Sequence, residues 1–248
     1  MVSSVFFVIF ANIMPNTFFR FKKFVVHQEK CAMKVGTDGV LVGAWARGGE
    51  RILDVGTGTG VVALMMAQRF PNAIVDAIDI DEDACAQARD NVEASPFSQQ
   101  VRVECVPVQR WAEREDLQGK YDAIVSNPPF FENALKAPEM ARNRARHTDS
   151  LPFAQLFEAV RKLIKPEGCF SAIIPFDYRE RLLQEAALWG FSVLGVCAVR
   201  TTPAKQPKRF LVAFGLHPGK MEEDEGLLEV SPGGRSEWYR QLTEDFYL

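Results

Sequence analysis

The sequence lacks any pattern that would join its cysteines into a disulfide framework or a zinc site. Its five cysteines are scattered and odd in number, without a C-x-x-C pair, at positions 31, 85, 105, 169 and 197. The three histidines, at 27, 147 and 217, also lack the spacing of metal ligands. Cysteine usage of this kind is typical of a reducing compartment, so we expect a cytoplasmic protein without a bound metal.

Positive charge is not in excess either. The net charge of −3 excludes a chain that holds nucleic acid through global charge, although local basic patches remain compatible with it. At 248 residues, with 47% apolar and 25% charged residues, the chain is long enough to bury a full core. We therefore expect one globular domain with additions, and no obligate protein partner is evident.

Long apolar runs are missing as well. The first residues, "MVSSVFFVIFANIM", are apolar but too short to span a bilayer, and no Lys or Arg precedes them as in a signal peptide. We expect translation to start at Met14 and residues 1–16 to form a non-native or disordered extension. A cleaved export signal is the alternative. No other stretch approaches a membrane span, so no membrane partner is expected.

The sequence does contain short β-branched runs that alternate with amphipathic stretches from Arg51 onward. The runs include "RILDV", "AIVDAID", "VRVECV", "YDAIVS" and "CFSAIIP". This alternation predicts an α/β fold with a doubly wound, mostly parallel, Rossmann-like sheet of seven strands. Two later runs, "FSVLGVCAV" and "KRFLVAFGL", joined through "RTTPAKQP", predict an antiparallel hairpin at the sheet edge. An acidic loop, a short strand and an amphipathic helix are expected after them.

Two regions follow from this organisation. Residues 17–47 form a basic-aromatic, strand-rich segment and a helix, and residues 48–248 form the main domain. At the first strand–helix junction of the main domain stands "LDVGTGTG", whose glycines permit positive φ and close approach to a ligand. Val61 replaces the third glycine of the dinucleotide fingerprint. The loop instead resembles motif I of class I S-adenosylmethionine-dependent methyltransferases, which makes S-adenosylmethionine the expected cofactor. The expected contacts are Asp54, Gly56, Thr57, Gly58 and Gly60.

A carboxylate stands at the end of the next strand, in "VDAIDID". Asp79 lies where it could accept hydrogen bonds from both ribose hydroxyls of a bound nucleoside. Asp76 and Asp81 are its rivals, but strand alternation and position favour Asp79. Adenine recognition is assigned to the backbone of Val108 or to Gln109, because Pro107 occupies the place where related enzymes often carry an acid.

The run "YDAIVS" ends in "NPPFF". In a doubly wound sheet this strand ends beside the glycine loop, at the switch point where ligands bind. The amide oxygen of Asn127 and the carbonyl of Pro128 can accept the two hydrogens of an exocyclic amino group and hold its nitrogen in line with a methyl donor. Pro129 restricts the backbone, and Phe130 offers a ring for a flipped base. We therefore predict that Asn127, Pro128, Pro129 and Phe130 are catalytic, and that Asn127 also contacts the cofactor.

A longer match narrows the choice. The segment "FRFKKFVVHQEKCAMKVGTDGVLVGAWA", together with "DVGTGTG", "SNPPFF" and "LTEDFYL", resembles the bacterial tRNA(valine) adenine-N6 methyltransferases from about Phe19 to Leu248. These enzymes modify the adenine immediately 3′ of the anticodon. The resemblance implies cofactor contacts near Lys34 and Thr37 and at Gly56 and Asp79, and catalysis at Asn127 to Phe130.

Three basic segments are expected near one rim of the active site, where they would neutralise the phosphates of a tRNA substrate. Their assigned residues are Arg20, Lys22 and Lys23, then Arg142, Arg144 and Arg146, and finally Lys205, Lys208 and Arg209. Three other functions remain open. A release-factor glutamine methyltransferase would need a helical N-terminal domain, an enzyme of DNA or rRNA bases would need a base-reading element, and a non-catalytic binding protein would not need the Asn-Pro-Pro-Phe set.

Overall fold

A computed structural model describes residues 17–31, 33–128 and 151–247. The expected N-terminal extension therefore lies outside the described residues. The same is true of Pro129 and Phe130 and of the three arginines at 142, 144 and 146.

The fold is built on one large sheet of eight strands, most of them parallel, which confirms the predicted α/β class. Their order across the sheet is β10-β8-β9-β7-β6-β3-β4-β5, and only β9 runs against its neighbours. The strands are β3 (Arg51–Val55), β4 (Ile74–Asp79), β5 (Val101–Cys105), β6 (Tyr121–Ser126), β7 (Ile164–Pro175), β8 (Ser192–Arg200), β9 (Arg209–Gly215) and β10 (Glu222–Leu227). Two small hairpins flank the sheet, β1 (Phe18–Arg20) with β2 (Val25–His27), and β11 (Glu229–Ser231) with β12 (Gly234–Arg235).

Helices cover both faces of the sheet, as the alternating sequence pattern predicts. The described helices are α1 (Thr37–Trp45), α2 (Val61–Arg69), α3 (Glu82–Glu93), α4 (Val108–Trp111), α5 (Phe153–Leu163), α6 (Arg179–Leu188) and α7 (Glu237–Thr243), with short 3-10 helices at Glu115–Leu117 and Phe176–Tyr178. Two buried apolar clusters lie on the two faces of the sheet. Among the described residues, no helix is both long and apolar enough to cross a membrane.

The eighth strand was not expected. The acidic run at 222–225 is the first part of β10, which pairs in parallel with β8 and lies outside the predicted β8–β9 hairpin. The expectation of seven strands, with an acidic loop after the hairpin, is therefore wrong. Backbone pairing with β8 forms this strand even though Glu and Asp have low strand propensity. All four acidic side chains are exposed.

The two ends of the N-terminal hairpin lie at different edges of the sheet. At one end the N–H of His27 donates to Asn91 of α3 (2.8 Å), whose amide in turn donates to the Thr59 carbonyl in the glycine loop (2.9 Å). The turn at the other end lies away from that loop. Phe24 contacts Phe97, which follows the end of α3, with ring centroids 6.0 Å apart. The backbone N–H of Lys22 donates to the carbonyl of Phe246 (2.8 Å). Because α3 runs from the carboxyl ends of the strands to their amino ends, the turn that carries Lys22 and Lys23 lies at the amino edge. This placement contradicts the expectation that this basic segment shares a rim with the catalytic loop.

Candidate active site

The glycine loop begins where β3 ends, at the carboxyl edge of the sheet. Gly56, Gly58 and Gly60 all have positive φ, at 74°, 54° and 83°. The N–H groups of Gly56 and Thr57 donate to the carbonyl of Ile78 at 2.9 and 3.0 Å. These bonds tie the loop to the end of β4. Because L side chains rarely adopt positive φ, this loop conformation explains the glycine spacing in the sequence.

Asp54 holds the loop from below. Its buried Oδ2 accepts hydrogen bonds from the Thr57 hydroxyl (2.6 Å) and from the backbone N–H of Ala63 (3.1 Å). Its Oδ1 is also buried and has no hydrogen-bond partner in the part of the chain that the structure describes. Burial raises the pKa of Asp54 to about 7, although the two hydrogen bonds oppose this shift. Asp54 therefore fixes the loop and the start of α2. Its predicted direct contact with a cofactor stays a prediction.

Replacing Asp54 with asparagine should change how stability depends on pH. Because folding raises this pKa to about 7, the folded state binds the proton more tightly than the unfolded state does. Its stabilising contribution is complete below about pH 4 and is lost as pH rises through about 7. The free energy of unfolding of the wild type, relative to Asp54→Asn, should fall by at most roughly 4 kcal/mol across this range. Urea unfolding at several pH values measures it, and parallel profiles for the two proteins would contradict it.

Asp79 ends β4 directly beside the loop. Its Oδ2 accepts the N–H of Gly58 (2.8 Å), and its Oδ1 accepts the N–H of Asp81 (3.1 Å). Burial raises its pKa, against these hydrogen bonds. Each carboxylate oxygen can accept a further bond, and the side chain is partly exposed. Asp79 is therefore placed and oriented to accept ligand hydroxyls at the loop.

The two rival acids have other partners. Asp76 is buried, where its Oδ2 accepts the Tyr121 hydroxyl (2.7 Å) and pairs with Arg51 (3.2 Å). Asp81 is the N-cap of α3 and accepts from the N–H groups of Asp83 and Ala84. Both have structural roles that explain their presence, which supports the choice of Asp79.

The space next to Gly56 and Gly58 in the glycine loop, here called the cradle, is open. A Cβ added at Gly56 or at Gly58 would meet nothing within 4 Å. The loop thus combines free space, exposed backbone and an oriented carboxylate, which fits a nucleoside cofactor such as S-adenosylmethionine.

Gly58→Ala tests this cradle. The substitution should lower the free energy of unfolding by about 1 kcal/mol, because an alanine is strained at positive φ. The added methyl group should also occupy cofactor space and weaken cofactor binding at least about tenfold. The matched control is Gly119→Ala, since Gly119 has a similar φ of 59° and equally open surroundings. Gly119 lies before β6, at the opposite edge of the sheet. Calorimetric titration with S-adenosylmethionine should show weakening for Gly58→Ala alone, and equal weakening in both variants would contradict the assignment.

Asn127 lies beside the glycine loop. The parallel register pairs Val55 of β3 with Ser126 of β6, and the Ser126 hydroxyl donates to the Val55 carbonyl (2.8 Å). The next residues, Gly56 and Asn127, therefore emerge together from adjacent strands. Asn127 is partly exposed, whereas Pro128 is buried. This juxtaposition is the one that the sequence predicted for the first half of the Asn-Pro-Pro-Phe loop.

The segment before α1 reaches the same edge. Gly36 is the N-cap of α1, and a Cβ on Gly39 would lie 3.3 Å from Val61, the first residue of α2. The first turn of α1, with Thr37, therefore packs close to the end of the glycine loop. Lys34 is exposed, and its ammonium donates to the carbonyl of Gln28. The predicted cofactor roles of Lys34 and Thr37 stay predictions.

The expected adenine end of the site lies between β4 and α4. The N–H of Val106 donates to the carbonyl of Asp79 (2.8 Å), and Val108 begins α4, whose first N–H groups lack intrahelical acceptors. The amide of Gln109 donates to Gln155 on α5 (2.7 Å), so it is already engaged. The sequence analysis did not consider Ile80 for the adenine end of the site, although Ile80 is 49% exposed immediately after Asp79. The sequence could have indicated it, because an apolar residue there directly follows the acid at the end of the strand.

The basic residues between positions 200 and 209 lie at the carboxyl edge of the sheet, where the glycine loop also begins. Arg200 pairs with Glu225 (3.4 Å), and the guanidinium of Arg209 donates to Asp38 in the first turn of α1. Lys205 and Lys208, between them, are exposed and have no side-chain partner within the described residues. The two arginines thus anchor a loop that presents two free lysines. The role in RNA binding that the sequence suggests for Arg209 stays a prediction. The interaction observed for Arg209 is its ion pair with Asp38.

Several proteins of known sequence that resemble this chain carry the same name. It is 46% identical over 237 residues to the tRNA1(Val) (adenine(37)-N6)-methyltransferase of Phocaeicola vulgatus, covering 95% of this chain and 99% of that protein. The Parabacteroides distasonis protein of the same name is 46% identical over 238 residues, with the same coverage. The corresponding protein of Serratia proteamaculans is 39% identical over 243 residues, covering 96% and 93%. This chain belongs to the tRNA1(Val) (adenine(37)-N6)-methyltransferase family.

The family assignment agrees with the other similarities. Residues 35–149 match the methyltransferase small domain. Among solved structures, a predicted O-methyltransferase from Agrobacterium tumefaciens has a TM-score of 0.67 at 17% identity, covering 84% of this chain and 96% of that one. A geranyl diphosphate methyltransferase, solved with geranyl diphosphate and sinefungin, has a TM-score of 0.52 at 11% identity, covering 72% and 76%. These two likenesses concern the fold. The chain is a methyltransferase of the tRNA1(Val) family and, as such, an S-adenosylmethionine-dependent enzyme.

No cluster of three or more metal-binding side chains occurs in the three described ranges.

Proposed function

We propose that this protein transfers a methyl group from S-adenosylmethionine to the exocyclic N6 of an adenine in tRNA. The proposed target is adenine 37 of valine tRNA, immediately 3′ of the anticodon, as the names of its relatives state for those proteins. A tRNA substrate would also place the reaction in the cytoplasm. The observation that supports this most strongly is the emergence of Asn127 beside Gly56 from paired strands.

The cofactor supplies an electrophilic methyl group on a sulfonium. In this proposal the glycine loop binds the cofactor through its backbone, Asp79 accepts its ribose hydroxyls, and Ile80 and the first turn of α4 contact its adenine. Asp54 and Thr57 act indirectly by fixing the loop.

Asn127 and Pro128 position the nucleophile. The lone pair of adenine N6 is delocalised into the ring, which makes N6 a poor nucleophile. Two acceptors, the Asn127 amide oxygen and the Pro128 carbonyl, hold its two hydrogens and favour the geometry in which the nitrogen becomes tetrahedral. As N6 bonds to the methyl carbon, the bond from that carbon to the sulfonium sulfur would break and leave the neutral thioether S-adenosylhomocysteine. The methylated nitrogen, now cationic, is acidic enough to lose one proton to water without a strong general base. Phe130, which lies outside the described residues, is proposed to stack on the flipped base.

The substrate assignment is separable from the reaction type. A glutamine methyltransferase would use a similar amide-holding loop, but residues 17–27 here contain a β-hairpin rather than a helical domain. Lys205 and Lys208, exposed at the catalytic edge, suit an RNA substrate instead.

Product analysis tests the proposal. Purified protein and labelled S-adenosylmethionine are incubated with an unmodified valine tRNA transcript, and the digested nucleosides are identified by mass spectrometry. The expected product is N6-methyladenosine, at one site per tRNA. A transcript with guanine in place of adenine 37 is the matched control and should remain unlabelled. Label in another nucleoside, or equal labelling of both transcripts, would overturn the substrate assignment, and label in a release factor would favour the glutamine alternative.

A further inference from the structure

The strand beside β6 is followed directly by an aromatic residue that contacts a cation. Ser126 of β6 is paired with Ala172 of β7, and β7 continues to Pro175 before the 3-10 helix at Phe176–Tyr178. Phe176 therefore lies beyond the carboxyl edge of the sheet, on the strand next to the one that Asn127 follows. No step of the methyl transfer described above uses it.

Phe176 carries a guanidinium on its ring. The Cζ of Arg179 is 4.2 Å from the ring centroid, and its Nη1 donates to the Phe176 carbonyl (3.2 Å). Its Nη2 pairs with Glu180 (3.1 Å). These contacts fix the plane of the guanidinium. Its side chain is still 34% exposed, so part of it remains accessible to a ligand.

This aromatic-cation pair is continuous with the two free lysines. The N–H of Phe176 donates to the carbonyl of Lys208 (3.0 Å), and its ring packs edge-on against Phe210 of β9 (6.1 Å). Lys205 and Lys208 are exposed on the same loop. A fixed planar cation beside free ammonium groups matches single-stranded RNA, which offers unstacked bases and phosphates.

We propose that Phe176 and Arg179, with Lys205 and Lys208, form a second nucleotide subsite that binds the RNA residue flanking the methylated adenine. The proposal rests on the function proposed above and extends it. Arg179 is the platform on which the flanking base stacks, and Phe176 supports it from behind. The two lysines contact the adjoining phosphates. Glu180 compensates the charge of Arg179, and Asp177 nearby is an exposed acid. Arg179 therefore contributes a flat surface for stacking to the subsite and little net positive charge.

The test combines protein variants with abasic RNA. An anticodon stem-loop is prepared intact, and with an abasic residue immediately 5′ or immediately 3′ of the target adenine. With wild-type protein, one abasic position should lower kcat/KM about 5- to 100-fold, the range of a lost base stack. Arg179→Ala should lower kcat/KM similarly on intact RNA and show no further loss with that abasic RNA. Phe176→Leu should behave in the same way but more weakly.

Two matched variants separate stacking from charge. Arg179→Lys keeps the charge but loses the plane, so it should behave like Arg179→Ala. Arg240→Ala removes another exposed arginine with a neighbouring glutamate partner, on α7, and should match the wild type. Full activity of Arg179→Lys would overturn the subsite. The same holds if the loss caused by Arg179→Ala multiplies with the loss caused by each of the two abasic residues, because the arginine would then act independently of both flanking bases.

Failure of the subsite is distinguishable from failure of the proposed function. If the wild type methylates no adenine, the proposed function fails, and binding of the fluorescein-labelled stem-loops is measured with the same variants. The same coupling between Arg179 and one flanking base, seen in Kd, would then support the subsite. Equal Kd values for wild type and Arg179→Ala would refute it.

Discussion

Replacing Asn127 with alanine should lower kcat for methyl transfer by at least about 100-fold while leaving the affinity for S-adenosylmethionine within about twofold. The reason is positional. Asn127 emerges beside Gly56 and is partly exposed, so its amide can face a substrate without supporting the loop. The loop is fixed instead by Asp54 and by the Ile78 carbonyl. Removal of the amide should therefore remove one acceptor for the N6 hydrogens and little else.

Single-turnover kinetics and calorimetry measure the two quantities separately. Asn127→Asp keeps an acceptor oxygen in nearly the same shape and should retain more activity than Asn127→Ala. The unfolding midpoint of each variant should stay close to that of the wild type. If cofactor affinity and stability fall together with activity, Asn127 has a structural role and the proposed positioning of N6 is wrong.

Asp79→Ala should weaken S-adenosylmethionine binding about 10- to 100-fold, since hydrogen bonds to a charged acceptor are worth about 1.5–3 kcal/mol. The loss should appear in Kd and in KM for the cofactor, with a smaller change in KM for RNA. A pH dependence should accompany it. Burial raises the pKa of Asp79, so its carboxylate becomes protonated at a higher pH than an ordinary aspartate. As pH falls, cofactor affinity should therefore begin to decline at a higher pH than it would with an aspartate of ordinary pKa. Asp79→Ala should lack this decline.

Asp81→Ala is the control for that measurement. Asp81 lies two residues further along and caps α3, so its loss should cost about 1 kcal/mol of stability without a comparable loss of cofactor affinity. Equal effects of the two substitutions on Kd would mean that Asp79 acts only through local structure. Calorimetric titration across the pH range provides both results.

Local patterns predicted much of the fold and the positions of the glycine loop and of Asp79. The alternation of β-branched runs with amphipathic stretches was sufficient for the sheet and its helices, because each element carries its own periodicity. The positive φ values of the glycine loop and the choice of Asp79 over Asp76 also follow from local rules. The placement of Asn127 needed one further step, the order of parallel strands in a doubly wound sheet.

Features that depend on contacts between distant segments were not predictable. The acidic run of β10 has low strand propensity and forms a strand only through its pairing with β8. The ion pair of Arg209 with Asp38 joins residues 171 positions apart. Lys22 and Lys23 were expected near the catalytic loop because of their charge, but the packing of their hairpin against Phe97 and Phe246 decides their position. A basic segment indicates affinity for phosphate and does not indicate where it lies on the surface.

The outermost strand, β10, also restricts what can meet this side of the molecule. An uncovered strand edge ordinarily invites pairing with a strand of another molecule. Here four successive carboxylates, from Glu222 to Glu225, line the margin, and among the described residues arginines pair with only the first and the last of them, so a second copy arriving strand to strand would still bring like charges together. The sheet is thus protected from fibre growth along this side.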